Sequence, residues 1–181
     1  MPKQKLRPFA VTKTNTIIMK SLLSLFLSIT ASITFAQVQP QATAEGNLTF
    51  KGTIPAKGKS ADDLKECVAD FADFMDIEST EKNSITGSYS YTYAVDDIEL
   101  WAGEVTFKFE FTFNGSTIAY NFYDFDHKTG ESKFKPVGIL PLNWNAKVGE
   151  VFTQARFNEI KGDIQTNMAL IVKTITNECA K

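Results

Sequence analysis

The sequence predicts an α+β fold of two layers: a curved antiparallel sheet of four to five strands with two helices packed on one face. Three observations carry that prediction. Val105, Phe107, Phe109, Phe111 and Phe113 alternate with Thr106, Lys108, Glu110 and Thr112, the period of two that marks a half-buried strand. Asn114-Gly115 follows directly, a dipeptide that favours a tight hairpin, and another strand-like run starts at Ser116. Two stretches with apolar residues three and four apart bracket these strands, one after Ser60 and one near the end of the chain. A sheet with one apolar face and two amphipathic helices bury each other's apolar surface most simply in two layers.

The elements follow in order. Asn47–Ile54 is a strand, with Leu48, Phe50, Gly52 and Ile54 alternating against Asn47, Thr49, Lys51 and Thr53, and Pro55 stops it. Ser60 is an N-cap with Asp63 at the third helical position, and the helix runs to about Asp76. Its Leu64, Cys67, Val68, Phe71, Phe74 and Met75 share a face, while Asp62, Asp63 and Glu66 suit the positive end of the helix dipole. From Ile85 the period becomes two, through Tyr89, Tyr91, Tyr93 and Val95.

In the hairpin, a two-residue turn at Asn114-Gly115 pairs Phe111 with Ile118, Phe109 with Tyr120 and Phe107 with Phe122, so turn and pattern agree on one face. Asp126–Ser132 reads as a turn. Lys133–Leu140 adds a last strand that Pro136 pushes to an edge. A long second helix runs from about Glu150 to Thr176, with Phe157, Ile160, Ile164, Met168, Ile171 and Ile175 in one stripe.

Upstream of the fold, residues 1–36 read as an export signal. Lys3, Lys5, Arg7, Lys13 and Lys20 precede an apolar run from Leu22 to Ile29, and the segment ends on small residues at Ala36. Cleavage is expected after Ala36, with Met19 a candidate true start. The expected product is periplasmic or secreted. Residues 37–45 read as a flexible lead-in and residues 46–181 as one α+β domain. The signal holds five of the 19 basic residues and none of the 21 acidic ones, which leaves 14 against 21, a net charge of −7. That balance argues against nucleic acid, which wants clustered Lys and Arg. No stretch outside the signal approaches the roughly 20 apolar residues of a membrane span, so none is expected in the mature chain.

The strand Leu48–Ile54, the helix Ser60–Asp76, Ile85-Thr86-Gly87 opening the tyrosine strand, the Asn114-Gly115 hairpin and the closing helix together resemble a family of exported Bacteroidota domains of unknown function. That family's fold is like that of the TATA-box-binding protein (TBP). The resemblance covers most of residues 46–178 and implies a fold and a compartment, but no catalytic residues.

Motifs for chemistry are sparse. His127 beside Asp124 and Asp126 could ligate a divalent ion, but the same residues read more simply as a solvated turn. The acidic pairs Asp62-Asp63 and Asp96-Asp97, and Glu99 near Glu104, are not placed across a cleft by the sequence. No phosphate loop, nucleophile elbow or CxxC motif occurs, so no catalytic residue, metal ligand or cofactor is assigned.

Cys67 and Cys179 either form a bridge, as pairs often do in an oxidising compartment, or stay as a buried thiol and a frayed one. Tyr89, Tyr91, Tyr93 and Trp101 are the candidate binding surface. A two-residue turn at Asp96-Asp97 pairs Tyr93 with Leu100 and Tyr89 with Glu104, which puts the tyrosines on the polar face. One extra loop residue, or a bulge at Gly103, pairs Tyr89 with Val105 and turns them into the core. Trp101 and Trp144 sit near loops and could rim a pocket or equally serve as ordinary lids on the core.

The function that follows is a non-catalytic exported domain that binds an envelope protein or glycan through an aromatic patch on the open face of the sheet. The alternative is a carrier for an apolar small molecule, held in a cavity among Phe107, Phe109, Phe122 and Ile164.

Overall fold

The structure, a computed structural model, describes residues 38–93, 103–129, 137–151 and 153–181. The export signal, its cleavage point and Trp101 therefore lie outside the described residues, as do Asp96, Asp97 and Glu99. The described elements are β1 (Pro40–Ala42), β2 (Leu48–Pro55), α1 (Ala61–Phe71) with a 3₁₀ turn (Ala72–Phe74), β3 (Asp76–Thr80), β4 (Ser84–Tyr93), β5 (Gly103–Asn114), β6 (Thr117–Thr129), β7 (Gly138–Ile139), α2 (Ala146–Gly149) and α3 (Gln154–Cys179). The strands form one antiparallel sheet in the order β1-β2-β6-β5-β4-β3, with β7 on β6 beside β2.

The core lies between one face of this sheet and helices α1 and α3. Phe107, Phe109 and Phe111 of β5, Ile118 and Phe122 of β6, Leu48 and Phe50 of β2, Leu64 and Val68 of α1 and Ile164 and Met168 of α3 are fully buried. Ser60 caps α1 in a reciprocal capping box with Asp63, and Thr153 caps α3 through Arg156 N.

Four sequence readings change. Residues 37–45 are not a loose lead-in throughout: Pro40–Ala42 pairs with Phe50–Leu48, Val38 is buried, and Gln165 Nε2 donates to the Val38 carbonyl at 3.1 Å. The short polar segment gains order from its neighbours and shows no pattern of its own. Strand β3, Asp-Ile-Glu-Ser-Thr, is an exposed edge without apolar alternation that the sequence reading did not contain, and the helix predicted to about Asp76 ends at Phe71 and gives way to the 3₁₀ turn.

The hairpin turn is Gly115-Ser116, not Asn114-Gly115, since Asn114 pairs with Thr117. Gly115 has φ 55 at the first central position, where a type II′ turn calls for glycine. The register moves by two residues, so Phe111 meets Tyr120 and Phe109 meets Phe122, and the faces stay as expected.

The fourth change is a bulge. Lys108 pairs with Tyr123 but Thr106 pairs with Asp126, so β6 carries one extra residue there. Asp124 takes φ 54, an uncommon conformation for a non-glycine residue that Asp tolerates better than most, and its carboxylate meets Lys108 Nζ at 3.4 Å. The extra residue flips the alternation. Inward positions are Ile118, Tyr120 and Phe122 before the bulge and Phe125 and His127 after it. Strand β6 therefore continues into the stretch read as a turn, as far as Thr129, and His127 is buried on the helix side.

Candidate functional site

Of the residues read as a binding surface, the described ones, Tyr89, Tyr91 and Tyr93, do not lie on the open face. The register of β4 on β5 pairs Tyr89 with Phe107, Tyr91 with Val105 and Tyr93 with Gly103, a parity that a two-residue turn at Asp96-Asp97 does not give. The three tyrosines consequently point to the helix side. Tyr93 is buried, while Tyr89 and Tyr91 are half-buried. The open face of β5 carries Glu104, Thr106, Lys108, Glu110 and Thr112, and Ser90 and Thr106 share a hydroxyl hydrogen bond of 2.8 Å across it.

What the tyrosines build is a cleft at the β3–β4 edge. It holds about 190 Å³ between the sheet, the end of α1 and the middle of α3, lined by Phe71, Phe74, Tyr89, Tyr91, Leu170 and Ile171 among others. Four rings meet edge-to-face, Phe71 on Phe74 at 5.3 Å, Phe74 on Tyr89 at 5.4 Å, and Tyr89 on Phe107 at 5.9 Å between centroids, with Phe74 at the surface and Phe107 in the core. Such pairs add about 0.5–1.5 kcal/mol each beyond area burial, so the wall is held in one arrangement. Phe74 and Leu170 remain 56% and 60% exposed, and Ile77 is also exposed on the neighbouring edge strand.

One corner of the cleft is polar. Asn167 Nδ2 donates to the Asp163 carboxylate at 3.1 Å, and both sit by the Tyr91 hydroxyl. Burial, with the Asp163 charge beside it, pushes that hydroxyl well above the ordinary phenol range, so it stays protonated.

The two helical walls are tied together. Cys67 and Cys179 form a disulfide with Sγ–Sγ 2.07 Å and Cα–Cα 5.7 Å. Cys67 lies one turn before Phe71, and Cys179 lies just over one turn beyond Thr174, which also lines the cleft.

The cavity expected among Phe107, Phe109, Phe122 and Ile164 is filled, since all four are fully buried. Only Phe107 reaches the cleft. Nor do Asp124, Asp126 and His127 converge. Neighbours on a strand face opposite ways, so His127 enters the core while Asp126 stays on the other face. Burial pushes the His127 imidazole below its ordinary value, partly offset by the Asp126 charge. Among the described residues no group of three or more His, Cys, Asp or Glu is placed to hold a metal ion.

Two solved structures share this architecture. One is a TBP-like protein from Parabacteroides distasonis ATCC 8503, 12% identical, with a TM-score of 0.55 over 75% of this chain and 97% of that one. The fold is TBP-like. The other is a DUF4468 family protein from Bacteroides ovatus ATCC 8483, 10% identical, with a TM-score of 0.54 over 74% of this chain and 88% of that one. No protein-family model matches the chain, and no curated protein does.

Both neighbours are Bacteroidota proteins, as the resemblance in sequence implied. On this TBP-like sheet the open face is not a basic surface: β5 presents Glu104, Lys108 and Glu110 in one row, and Lys108 is paired with Asp124. Among the described residues no helix is long and apolar enough to cross a membrane.

The cleft was missed in the sequence because its walls come from α1, the 3₁₀ turn, β4, β5 and α3. The signal that could have found it is Phe71 and Phe74 persisting past the last buried turn of α1.

Proposed function

We propose that this chain is a non-catalytic binding module of the cell envelope that holds an apolar anchor side chain of a partner protein in the aromatic cleft. The observation that carries the reading is the ring ladder that surfaces at Phe74 opposite Leu170. Large apolar side chains left exposed together at the mouth of a hollow mark interaction sites more often than singly scattered ones do.

Size decides between anchor and carrier. Pockets for drug-sized molecules hold about 300–1,000 Å³, whereas a cavity of about 150 Å³ suffices for benzene. At about 190 Å³ the cleft suits one ring or branched side chain and is small for a lipid. Charge defines the rest of the partner. Asp70 and Asp73 flank the aromatic wall in sequence, and Asp76 and Glu78 flank Ile77 on the edge strand. An anchor with Lys or Arg on either side complements that rim, and the mature charge of −7 favours the same sign of partner. The acidic chain and the mixed-sign open face also speak against nucleic acid as the partner.

The test is an NMR titration of the mature protein with capped Lys-Phe-Lys, Glu-Phe-Glu and Lys-Ala-Lys peptides and with a long-chain fatty acid. The reading expects shifts at Tyr89, Tyr91, Leu170 and Ile171 with Lys-Phe-Lys, weakened by salt and by Leu170→Asp. Equal binding of all three peptides would overturn it, and stoichiometric fatty acid uptake would favour the carrier instead. Export itself is tested by N-terminal sequencing of protein recovered from the envelope, which should begin at Gln37.

A further inference from the structure

Another hollow, of about 320 Å³, opens on the β2–β7 side of the sheet, the side opposite the aromatic cleft. The loop before β2 and the loop after β7 enclose it. Backbone bonds lock these loops together: Leu48 N donates to Leu140 O at 2.9 Å, Leu142 N to Gly46 O at 3.0 Å, and Asn47 bridges to Pro141. The hollow is therefore built on paired backbone, not on free loop tips.

Trp144 is its aromatic wall and is 40% exposed. The indole lies against Gly149 of α2, where an added β-carbon would come within 2.8 Å of Cζ2. Only glycine allows that approach, so the ring is held from behind with part of its surface toward the hollow.

The remaining lining is mixed: Val137, Ile139, Pro141 and Val148 are apolar, and the rest is mostly polar. Asn47, Asn143 and Asn145 contribute three amides, and Glu45 and Lys147 contribute one charge of each sign. Asn145 Oδ1 is committed to the cap of α2, accepting from Val148 N at 3.1 Å. Among the described residues no hydrogen bond engages the side-chain amide of Asn47 or Asn143. Each amide offers both donors and an acceptor, and the Glu45 carboxylate adds further acceptors.

We propose that this hollow is a saccharide-binding site that seats one neutral pyranose ring against Trp144. A pyranose has an apolar C–H face and a rim of hydroxyls that both donate and accept. The indole matches the face, and amides with a carboxylate match the rim. One charge of each sign leaves no net charge to select a charged ligand, which favours a neutral sugar over a phosphate or a carboxylate. The volume is at the low end for a ligand pocket, which suits a single ring.

The experiment is an amide and indole NMR titration of the mature protein with methyl glucoside, methyl galactoside and methyl N-acetylglucosaminide. The site expects shifts at the Trp144 indole N–H and at the Asn47 and Asn143 side-chain amides, with a Kd of about 1–10 mM. Tyr89 and Leu170 should not move, which keeps this result separate from the aromatic cleft. Gly149→Ala should weaken binding about tenfold by displacing the ring. Asn143→Ala, at an exposed position, should weaken it severalfold with the fold intact. The proposal is overturned if none of the three glycosides shifts those signals at about 50 mM, or if the shifts persist unchanged in Trp144→Ala.

Discussion

Reducing the disulfide should lower stability more than any single surface change, and its size can be worked out. Cys67 and Cys179 are 112 residues apart. Closing a loop of that length in the unfolded chain removes about 16 cal/mol/K in the chain-entropy model, or about 4.8 kcal/mol at 25 °C. Unfolding entropy near 2.1 cal/mol/K per residue gives about 0.3 kcal/mol/K for the roughly 145 residues expected after cleavage at Ala36. The melting temperature should therefore fall by up to about 16 °C. Removing native bridges commonly costs as little as about 2 kcal/mol, which sets the lower bound at about 7 °C.

The assay is thermal unfolding followed by circular dichroism, with the mature protein oxidised and then reduced. A Cys67→Ala/Cys179→Ala variant serves as the control and should show no response to reductant. Hydrogen exchange should show the loosening first at the C-terminal turns of α3, whose contact with α1 the bridge enforces. A fall of less than about 3 °C with both thiols demonstrably free would refute the argument. It would mean that the reduced unfolded chain is already compact, or that α1 and α3 hold each other without the bridge.

Phe109→Ala removes a fully buried ring and should cost about 3–5 kcal/mol, read as a lower denaturant midpoint; an unchanged midpoint would contradict its burial. Gly87→Ala should cost about 1–3 kcal/mol and expose the amides of β3 to exchange. The added carbon would sit 2.3 Å from the Asp76 carbonyl and 2.7 Å from Phe109 Cζ, and a neutral result would mean that β3 is not docked there. His127 has its folded pKa depressed below the ordinary imidazole value of about 6.5, chiefly by burial. Its contribution is therefore present above about 6.5 and is lost as pH falls from there toward the folded value, because the unfolded chain binds the proton more readily. His127→Gln should flatten the stability slope between pH 7 and 5, and an equal slope in both proteins would count against a buried imidazole.

Much of the fold was legible because alternation is local. The five inward residues of β5 and the apolar stripe of α3 announce themselves within one element, and the two-layer arrangement follows from them. Even the wrong turn in the β5–β6 hairpin did little harm. Moving the turn by one residue changes the register by two, which preserves faces, so Phe107 through Phe113 stay inward under either choice. Strand β3 was invisible for the opposite reason. An edge strand exposed along its length has no buried face, and so no pattern to read.

The site was less legible because it depends on parity between elements. Where the tyrosines point is set by the number of residues between β4 and β5, and nothing within the tyrosine run fixes it. His127 shows the same dependence inside one strand. Counted from Phe122 with strict alternation it would share a face with Tyr123, in solvent, and the bulge at Asp124 reverses that. Asp tolerates the left-handed backbone and also meets Lys108, so one residue both makes the bulge affordable and marks it. The consequence reaches the core. Phe125, brought inward by the same reversal, stacks on Phe107 at 5.3 Å, and Phe107 is the base of the ring ladder that ends at the cleft. A change at Asp124 that removed the bulge would therefore turn Phe125 outward and undermine the cleft from beneath, without touching any residue that lines it.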